Sequence, residues 1–522
     1  MRLLGIFSFM KQFFVCLFML ILITMGCQRT PNRVTIQVDD EQVIISTNAI
    51  TVREALNVAG ITLNELDRVE PDLYAQLTPE MMIQVMRITE TITTELIIIP
   101  FERRIIPNEA LPEDEQQLVQ IGSNGQEQIT RKITYQDGQE IDRHQVSHEI
   151  VQKPVEEIIA IGRKAGLSDI PIDGIVAYIS GGNAWLMSDH SSARRVVTTK
   201  GDLDGHAFSL SPNGERLLYS RNITDVITAP LNELWQVDTQ IVGETAISTP
   251  LKGVLYAEWS PQISETVIAY STAERSPGSP GWRAYNDLWL WDTKSNIETA
   301  TEIVPANTTN LYAWWGTDYY WSPDGNSFAY SNASQVGIID IVTKTIMPLM
   351  DFTPYETNSN WVWLPSIAWS PDSRFIATVI PSNPQQFDMW IIAVDGSMQI
   401  NVIEQVGMWS NPIWHEDGII FGQAVNPLRS VDSHYMLMMM DWDGSNLHRI
   451  FPIAEEIGLT FPDVAVARNE SIIFVIADNL HLLDFNGLPP QALTIDGQSH
   501  QPQWVIPLTK TVNVSVTTVI SD

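Results

Sequence analysis

Trp321-Ser-Pro-Asp-Gly-Asn-Ser-Phe-Ala-Tyr-Ser331 decides the fold of this chain. An aromatic residue closes one short strand, Pro-Asp-Gly forms a tight turn, and Phe-Ala-Tyr begins a second strand. The same pattern stands at Leu210-Ser-Pro-Asn-Gly-Glu-Arg-Leu-Leu-Tyr-Ser220 and at Trp369-Ser-Pro-Asp-Ser-Arg-Phe-Ile-Ala-Thr378. Weaker copies are Trp259-Ser-Pro261 with Ile268-Ala-Tyr-Ser271, Trp414-His-Glu-Asp-Gly-Ile-Ile-Phe421 and Val466-Ala-Arg-Asn-Glu-Ser-Ile-Ile-Phe474. Equivalent positions Pro212, Pro261, Pro323, Pro371, Glu416 and Arg468 are spaced by 49, 62, 48, 45 and 52 residues. Each copy continues into an apolar strand that ends in an acidic turn, as in Leu234-Trp-Gln-Val-Asp238, Leu288-Trp-Leu-Trp-Asp292 and Met389-Trp-Ile-Ile-Ala-Val-Asp395. Short strands and turns at a period near ~50 residues define the blade of a β-propeller.

Six full units begin between residues 210 and 466, and a seventh lacks its first strand at Ile175-Val-Ala-Tyr-Ile-Ser180 and Asn183-Ala-Trp-Leu-Met-Ser-Asp189. The missing strand stands at the other end, Gln501-Pro-Gln-Trp-Val505. Pairing the two ends would close the ring and remove an open sheet edge. The expectation is a seven-bladed propeller over 173–510, with six blades as the alternative and a tail over 511–522. The Ser-Pro-Asp-Gly form resembles the TolB-like, WD-repeat-like propellers, of which TolB itself has six blades. That resemblance speaks for the fold and hardly for function.

Outward from the repeats the composition changes. All 17 tryptophans fall between Trp185 and Trp504. Residues 33–90 read as a small α+β unit. Val34–Val38 and Val43–Ser46 flank an acidic turn, Thr51-Val-Arg-Glu54 is a capping box, and Gly60 is a natural stop. This stretch resembles the ubiquitin-like repeat of resuscitation-promoting factors and related wall-associated proteins. The matching residues are Val34–Asp39, Thr51–Leu56, Ala59–Ile61 and Asp67–Pro71. Residues 91–163 resemble the G5 domain through Ile97-Ile-Ile-Pro100, Gly122-Ser-Asn-Gly125, Asp137-Gly138, Lys153-Pro154 and Ile161-Gly162. The family's first glycine is replaced around Glu113-Asp-Glu115. The resemblance implies an elongated, non-catalytic β-domain that binds N-acetylglucosamine-containing polymer or serves as a spacer. A linker is expected over 164–172. The whole chain is therefore mostly β.

The first 27 residues read as a targeting segment: Arg2 and Lys11, then an apolar run from Phe13 to Thr24, too short to span a bilayer. Thr24-Met-Gly-Cys27 resembles a bacterial lipobox, with Thr24 where that family usually has Leu. The resemblance implies lipid on Cys27 and a place on the extracytoplasmic face of the cell membrane. An ordinary signal peptide or an uncleaved anchor is the alternative. The other cysteine, Cys16, lies inside the apolar run, so no disulfide or multi-cysteine metal site is available.

The 522 residues carry 62 acidic and 30 basic side chains, a net charge of −32. Such a chain is a poor match for nucleic acid or anionic lipid headgroups. No nucleophile elbow, His-Glu-x-x-His or phosphate-binding loop is present, and no cofactor is expected. His144 and His148 would share a face if their segment is a strand, but two ligands do not make a metal site. Asp441-Trp-Asp-Gly-Ser-Asn446 opens like a calcium loop, yet stands where every blade has its acidic turn.

Several aromatics break the repeat register. Tyr312, Trp314 and Trp315 crowd the approach to one inner strand, Trp361 and Trp363 precede the next, and Trp409 the one after. Trp282 lies in the long Thr272–Asn286 connection. Propeller topology puts these connections on one face. With Asn310, Asp318, Glu356, Asn358, Asn360 and Asn411 among them, they suit a carbohydrate or peptide ligand, or else they pack the funnel. The expected function is a non-enzymatic envelope lipoprotein. Its stalk carries a propeller that binds a cell-wall glycan, a peptide or an envelope protein. A propeller glycan hydrolase or lyase, and a TolB-like assembly scaffold, are the alternatives.

Overall fold

The computed structural model describes residues 31–507, except 110, 163–166, 224–227, 242–245, 263–265, 358, 384, 454–456, 467–470 and 486–487. Cys27, Cys16 and the 511–522 tail lie outside the described residues. The chain divides into two compact units, 1–102 with 122–156, and 103–121 with 157–522.

In the first unit, strands Asn32–Val38 and Glu41–Thr47 form a hairpin, and Asn32–Val38 pairs in parallel with Met81–Met86. The helix Val52–Val58 begins at Thr51, whose hydroxyl accepts the Glu54 N–H at 3.3 Å. Glu54 reaches back one residue further than a standard capping box, accepting the Ile50 N–H at 2.7 Å. Val52, Ala55 and Leu56 pack on Val34, Ile36, Ile83 and Val85. Arg87 locks the exit of this unit. Its guanidinium pairs with Asp39 at 2.9 Å and with Asp67 at 2.6 Å, and it donates to Thr62 O. Burial would raise the Asp67 carboxyl, but the Asn64 N–H, Arg87 and the Ile88 N–H together hold it below the usual range.

A three-stranded antiparallel sheet follows, Ile88–Ile99, Gly125–Gln136 and Gln139–Gln152. Asp137 (φ 49°) and Gly138 (φ 79°) turn the hairpin with both residues left-handed, as the Asp-Gly signal requires. His144 pairs with Asp142 and His148 with Glu127, each with a carboxylate of its own.

The second unit opens with a small sheet of Arg103–Asn108, Glu157–Gly162 and Gln116–Gln120. Then come six antiparallel sheets whose strands follow one another in sequence order, except that in the second Trp282–Ala284 lies off the path and pairs only with Val267–Arg275. Their innermost strands are Leu203–Leu210, Val254–Trp259, Asp318–Trp321, Ile367–Trp369, Ile413–His415 and Val464–Val466. A seventh sheet joins the two ends of the region: Ser499–Val505 pairs with Pro171–Ser180, which pairs with Asn183–Val196. Asn183–Val196 bends at Asp189 (φ 64°), and the Val197 N–H comes back to Ala184 O. This closing sheet packs on the sixth through Val176, Tyr178 and Trp504 against Ile473 and Leu480. It packs on the first through Ala177 and Leu186 against Leu217 and Tyr219.

The repeat motif has a physical reason. Ser322 is fully buried, and its hydroxyl donates to Asp324 Oδ1 at 2.6 Å while accepting the Ser327 N–H at 2.9 Å. Gly325 takes φ 73° to complete the turn. Ser211 with Asn213, and Ser370 with Asp372, repeat the arrangement. A hydroxyl at the strand end and an acceptor two residues on thus satisfy the turn's backbone in a buried position. Asp441–Asn446 is likewise a hydrogen-bonded turn, with the Asp441 N–H on Ser445 O and the Ser445 N–H on Asp443. Among the described residues no helix is long and apolar enough to cross a membrane.

Candidate functional site: an aromatic cleft on the propeller

The segments that lead into the third and fourth inner strands meet in a cleft of about 230 Å3. Tyr312, Trp314, Tyr355 and Trp361 supply its aromatic walls, and Glu356, Thr357 and Ser359 its polar groups. Each wall is anchored from behind. Asn286 (φ 55°) donates from Nδ2 to Asn307 O and Ala313 O, both at 2.8 Å, and its Oδ1 accepts the Thr317 hydroxyl at 2.8 Å. Tyr312 itself takes φ 58°, unusual for a bulky residue and an arrangement that the surrounding hydrogen bonds must impose. On the opposite wall the Thr357 hydroxyl donates to Trp361 O at 2.6 Å, and Tyr355 leans on Phe387 at 5.2 Å between ring centroids.

The remaining sequence candidates go elsewhere. Trp363 is 3 % exposed, stands against Phe387 at 4.9 Å, and donates its indole N–H to Met408 O at 3.2 Å. It is a core residue, because two positions beyond Trp361 the chain has turned inward. Trp409 extends the cleft's far wall, 5.6 Å from Trp361 on one side and 5.6 Å from Phe461 on the other. Trp282 and Trp315 form a second aromatic cluster: Trp282 donates to Trp315 O at 2.8 Å, and His206 stands edge-on to Trp282 at 5.0 Å. The expected Thr272–Asn286 loop contains a short strand, Trp282–Ala284, paired with Ala273–Arg275. The Ser276 N–H bonds Gly281 O and closes the turn that makes this pairing possible. Trp314 touches both groups, lining the cleft and meeting Trp315 edge-on at 5.8 Å. Tyr355 was not anticipated, and nothing in its neighbours marks it in the sequence.

Two carboxyls on inner strands carry shifted acidities. Desolvation pushes Glu258 up to about 6, opposed by the hydrogen bond from the Tyr256 hydroxyl at 2.8 Å. Asp318, crowded by surrounding protein although it keeps solvent contact, is also pushed up to about 6. Neither lines the aromatic cleft.

These features define a β-propeller region that follows two small N-terminal modules. Residues 89–164 match the G5 domain family, and residues 34–73 match the G5-linked ubiquitin-like domain. The chain is 26% identical over 158 residues to resuscitation-promoting factor Rpf2 of Corynebacterium glutamicum. The aligned part is 30% of this chain and spans 42% of that relative. Among solved structures, the putative TolB of Agrobacterium tumefaciens aligns with 18% identity and a TM-score of 0.33, over 53% of this chain and 88% of that one. TolB of Acinetobacter baumannii aligns with 13% identity and a TM-score of 0.35, over 80% of this chain and 100% of that one.

Proposed function

We propose that this chain is a non-enzymatic binding module of the cell envelope, whose propeller holds a saccharide unit of a wall glycan in the aromatic cleft. The observation that carries the reading is the convergence of Tyr312, Trp314 and Trp361 on one cleft with hydroxyls and a carboxylate at its rim. Aromatic faces pack on the apolar face of a sugar ring, and the polar rim orients its hydroxyls. Glu356 is the one carboxylate among the described lining residues. Glycoside hydrolysis in its usual form needs two carboxyl groups flanking the bond, so the arrangement favours holding over cleaving. The G5 match supports a place at the wall. Lipid on Cys27 would tether the chain to the extracytoplasmic face of the membrane.

The test is titration of the protein with wall-glycan fragments, followed by calorimetry, beside Trp314→Ala and Trp361→Ala. Each substitution is expected to weaken binding at least about tenfold, or ~1.4 kcal/mol. Unchanged affinity in both variants would sink the assignment. A protein-docking scaffold is favoured by one further observation: Phe461, 47 % exposed, continues the apolar wall beyond Trp409. Phe461→Ala should leave fragment binding unchanged if the glycan reading holds.

A further inference from the structure

A second cleft, of about 390 Å3, lies within the second unit, between the strand end Ile106–Glu109 and the closing sheet of the propeller. Its size falls in the ~300–1,000 Å3 range of small-ligand sites. Arg194 reaches into it with a side chain only 4 % exposed. One guanidinium nitrogen of Arg194 makes a long 3.4 Å contact to Glu109, while Nε is buried without a partner among the described residues. A guanidinium so incompletely paired leaves hydrogen-bonding capacity for an occupant of the cleft. Glu109 is also loosely held, its carboxylate taking the Ile495 N–H at 3.2 Å. Asp496, at the same rim, is occupied by the hydroxyls of Ser180 and Ser499. Trp185 offers an aromatic face, and Asn183 and Gln498 line the mouth.

We infer that this cleft binds a neutral, polyhydroxylated ring of the hexose class. The cleft presents a guanidinium and two carboxylates together. An anionic ligand that reached Arg194 would meet Glu109 and Asp496, and a cationic one would meet Arg194. A neutral ring with hydroxyls does neither. One ring oxygen accepts from the Arg194 guanidinium, hydroxyls donate to Glu109, and the apolar ring face covers Trp185. The site is separate from the aromatic cleft and does not depend on it, since the two share no lining residue.

The test is saturation-transfer NMR on the full chain with glucose, N-acetylglucosamine, glucosamine and glucuronate as probes. The neutral sugars are expected to bind and the charged ones to bind at least about tenfold more weakly. Ile495, whose exposed side chain stands at the mouth, is changed to Trp to block entry without touching Arg194. Measured in a Trp361→Ala background, which removes the aromatic cleft's share of the signal, Ile495→Trp should abolish what remains, and Gln498→Ala should weaken it several-fold with an unchanged melting temperature. In the same background Arg194→Lys, which keeps the charge but loses the guanidinium fork, should cost about tenfold. The inference is overturned if no neutral sugar binds in that background, if glucuronate or glucosamine binds better, or if binding there survives Ile495→Trp. Survival in Ile495→Trp with loss in Trp361→Ala would place the sugar in the aromatic cleft alone.

Discussion

Trp504 tests the closure of the propeller. It stands in Ser499–Val505, the strand that the far end of the chain contributes to the closing sheet, and is 7 % exposed. Its ring packs with Val176, Ile473 and Leu480, which come from the closing and the sixth sheets, and its indole N–H donates to Asp173 O at 2.7 Å. Trp504→Ala removes a large buried side chain and leaves a cavity, at ~3–5 kcal/mol. It also leaves a carbonyl without its donor, about another 1 kcal/mol. At ~2–4 °C per kcal/mol for domains of 150–250 residues, and less for larger ones, the propeller transition should fall by roughly 6–15 °C. Trp442→Ala is the control: this ring is 41 % exposed and lies in no closing strand. It should cost less than ~1 kcal/mol. Urea unfolding of both variants, read by near-UV circular dichroism, measures the difference. Equal midpoints for Trp504→Ala and Trp442→Ala would refute the closure, because a strand that did not seal the sheet would have nothing to lose.

Three further outcomes follow from particular contacts. Arg87→Met leaves Asp67, whose side chain is 0 % exposed, without its cation but with two backbone N–H donors. The cost should fall between the ~0–1 kcal/mol of a surface pair and the ~3–5 kcal/mol of a buried one. Because the Asp67 carboxyl is held low, its contribution is present above the unfolded pKa near ~3.9 and is lost as pH falls through the lower folded value. The gap between wild type and Arg87→Met should therefore narrow below about pH 4 in thermal melts. Glu258 acts in the opposite sense. Its folded pKa near 6 lies above the unfolded one, so the stability it contributes is complete below about pH 4. It disappears as pH rises through 6, and Glu258→Gln should flatten that part of the melting-temperature profile and raise stability at pH 8. Finally, Trp363→Ala should destabilise by ~3–5 kcal/mol in denaturant titrations, while Trp361→Ala should cost clearly less.

The sequence carries the propeller because its signal is local. The Ser-Pro-Asp-Gly turn encodes its own hydrogen bonds, so Ser211, Ser322 and Ser370 fold alike wherever the chain places them. The capping box at Thr51 and the hairpin at Asp137-Gly138 are legible for the same reason. The aromatic cleft is legible only in outline. Register shows that Tyr312, Trp314 and Trp361 are not needed by the repeat, but which way a loop residue points depends on contacts from distant segments. Asn286 fixes the Tyr312 wall from more than twenty residues away. Trp363 looks like Trp361 in the sequence and is buried, because Met408 O and Phe387 wait for it in the fold. The Arg194 cleft has no local mark at all: its residues come from the first small sheet, from the start of the propeller and from its end.

Charge supplies a constraint that unites both clefts. Residues 170–522 hold 38 acidic and 15 basic side chains, so a polyanion approaching the propeller is repelled before any cleft is reached. A polycation would be attracted at long range without regard to geometry, and its affinity would fall steeply with salt. Neither signature belongs to a neutral saccharide held by ring stacking and hydrogen bonds, whose affinity should stay within about twofold between low and physiological ionic strength. Binding of an uncharged fragment that collapses when salt is raised would mean that the protein's field, and not the walls formed by Trp314 and Trp361, holds the ligand.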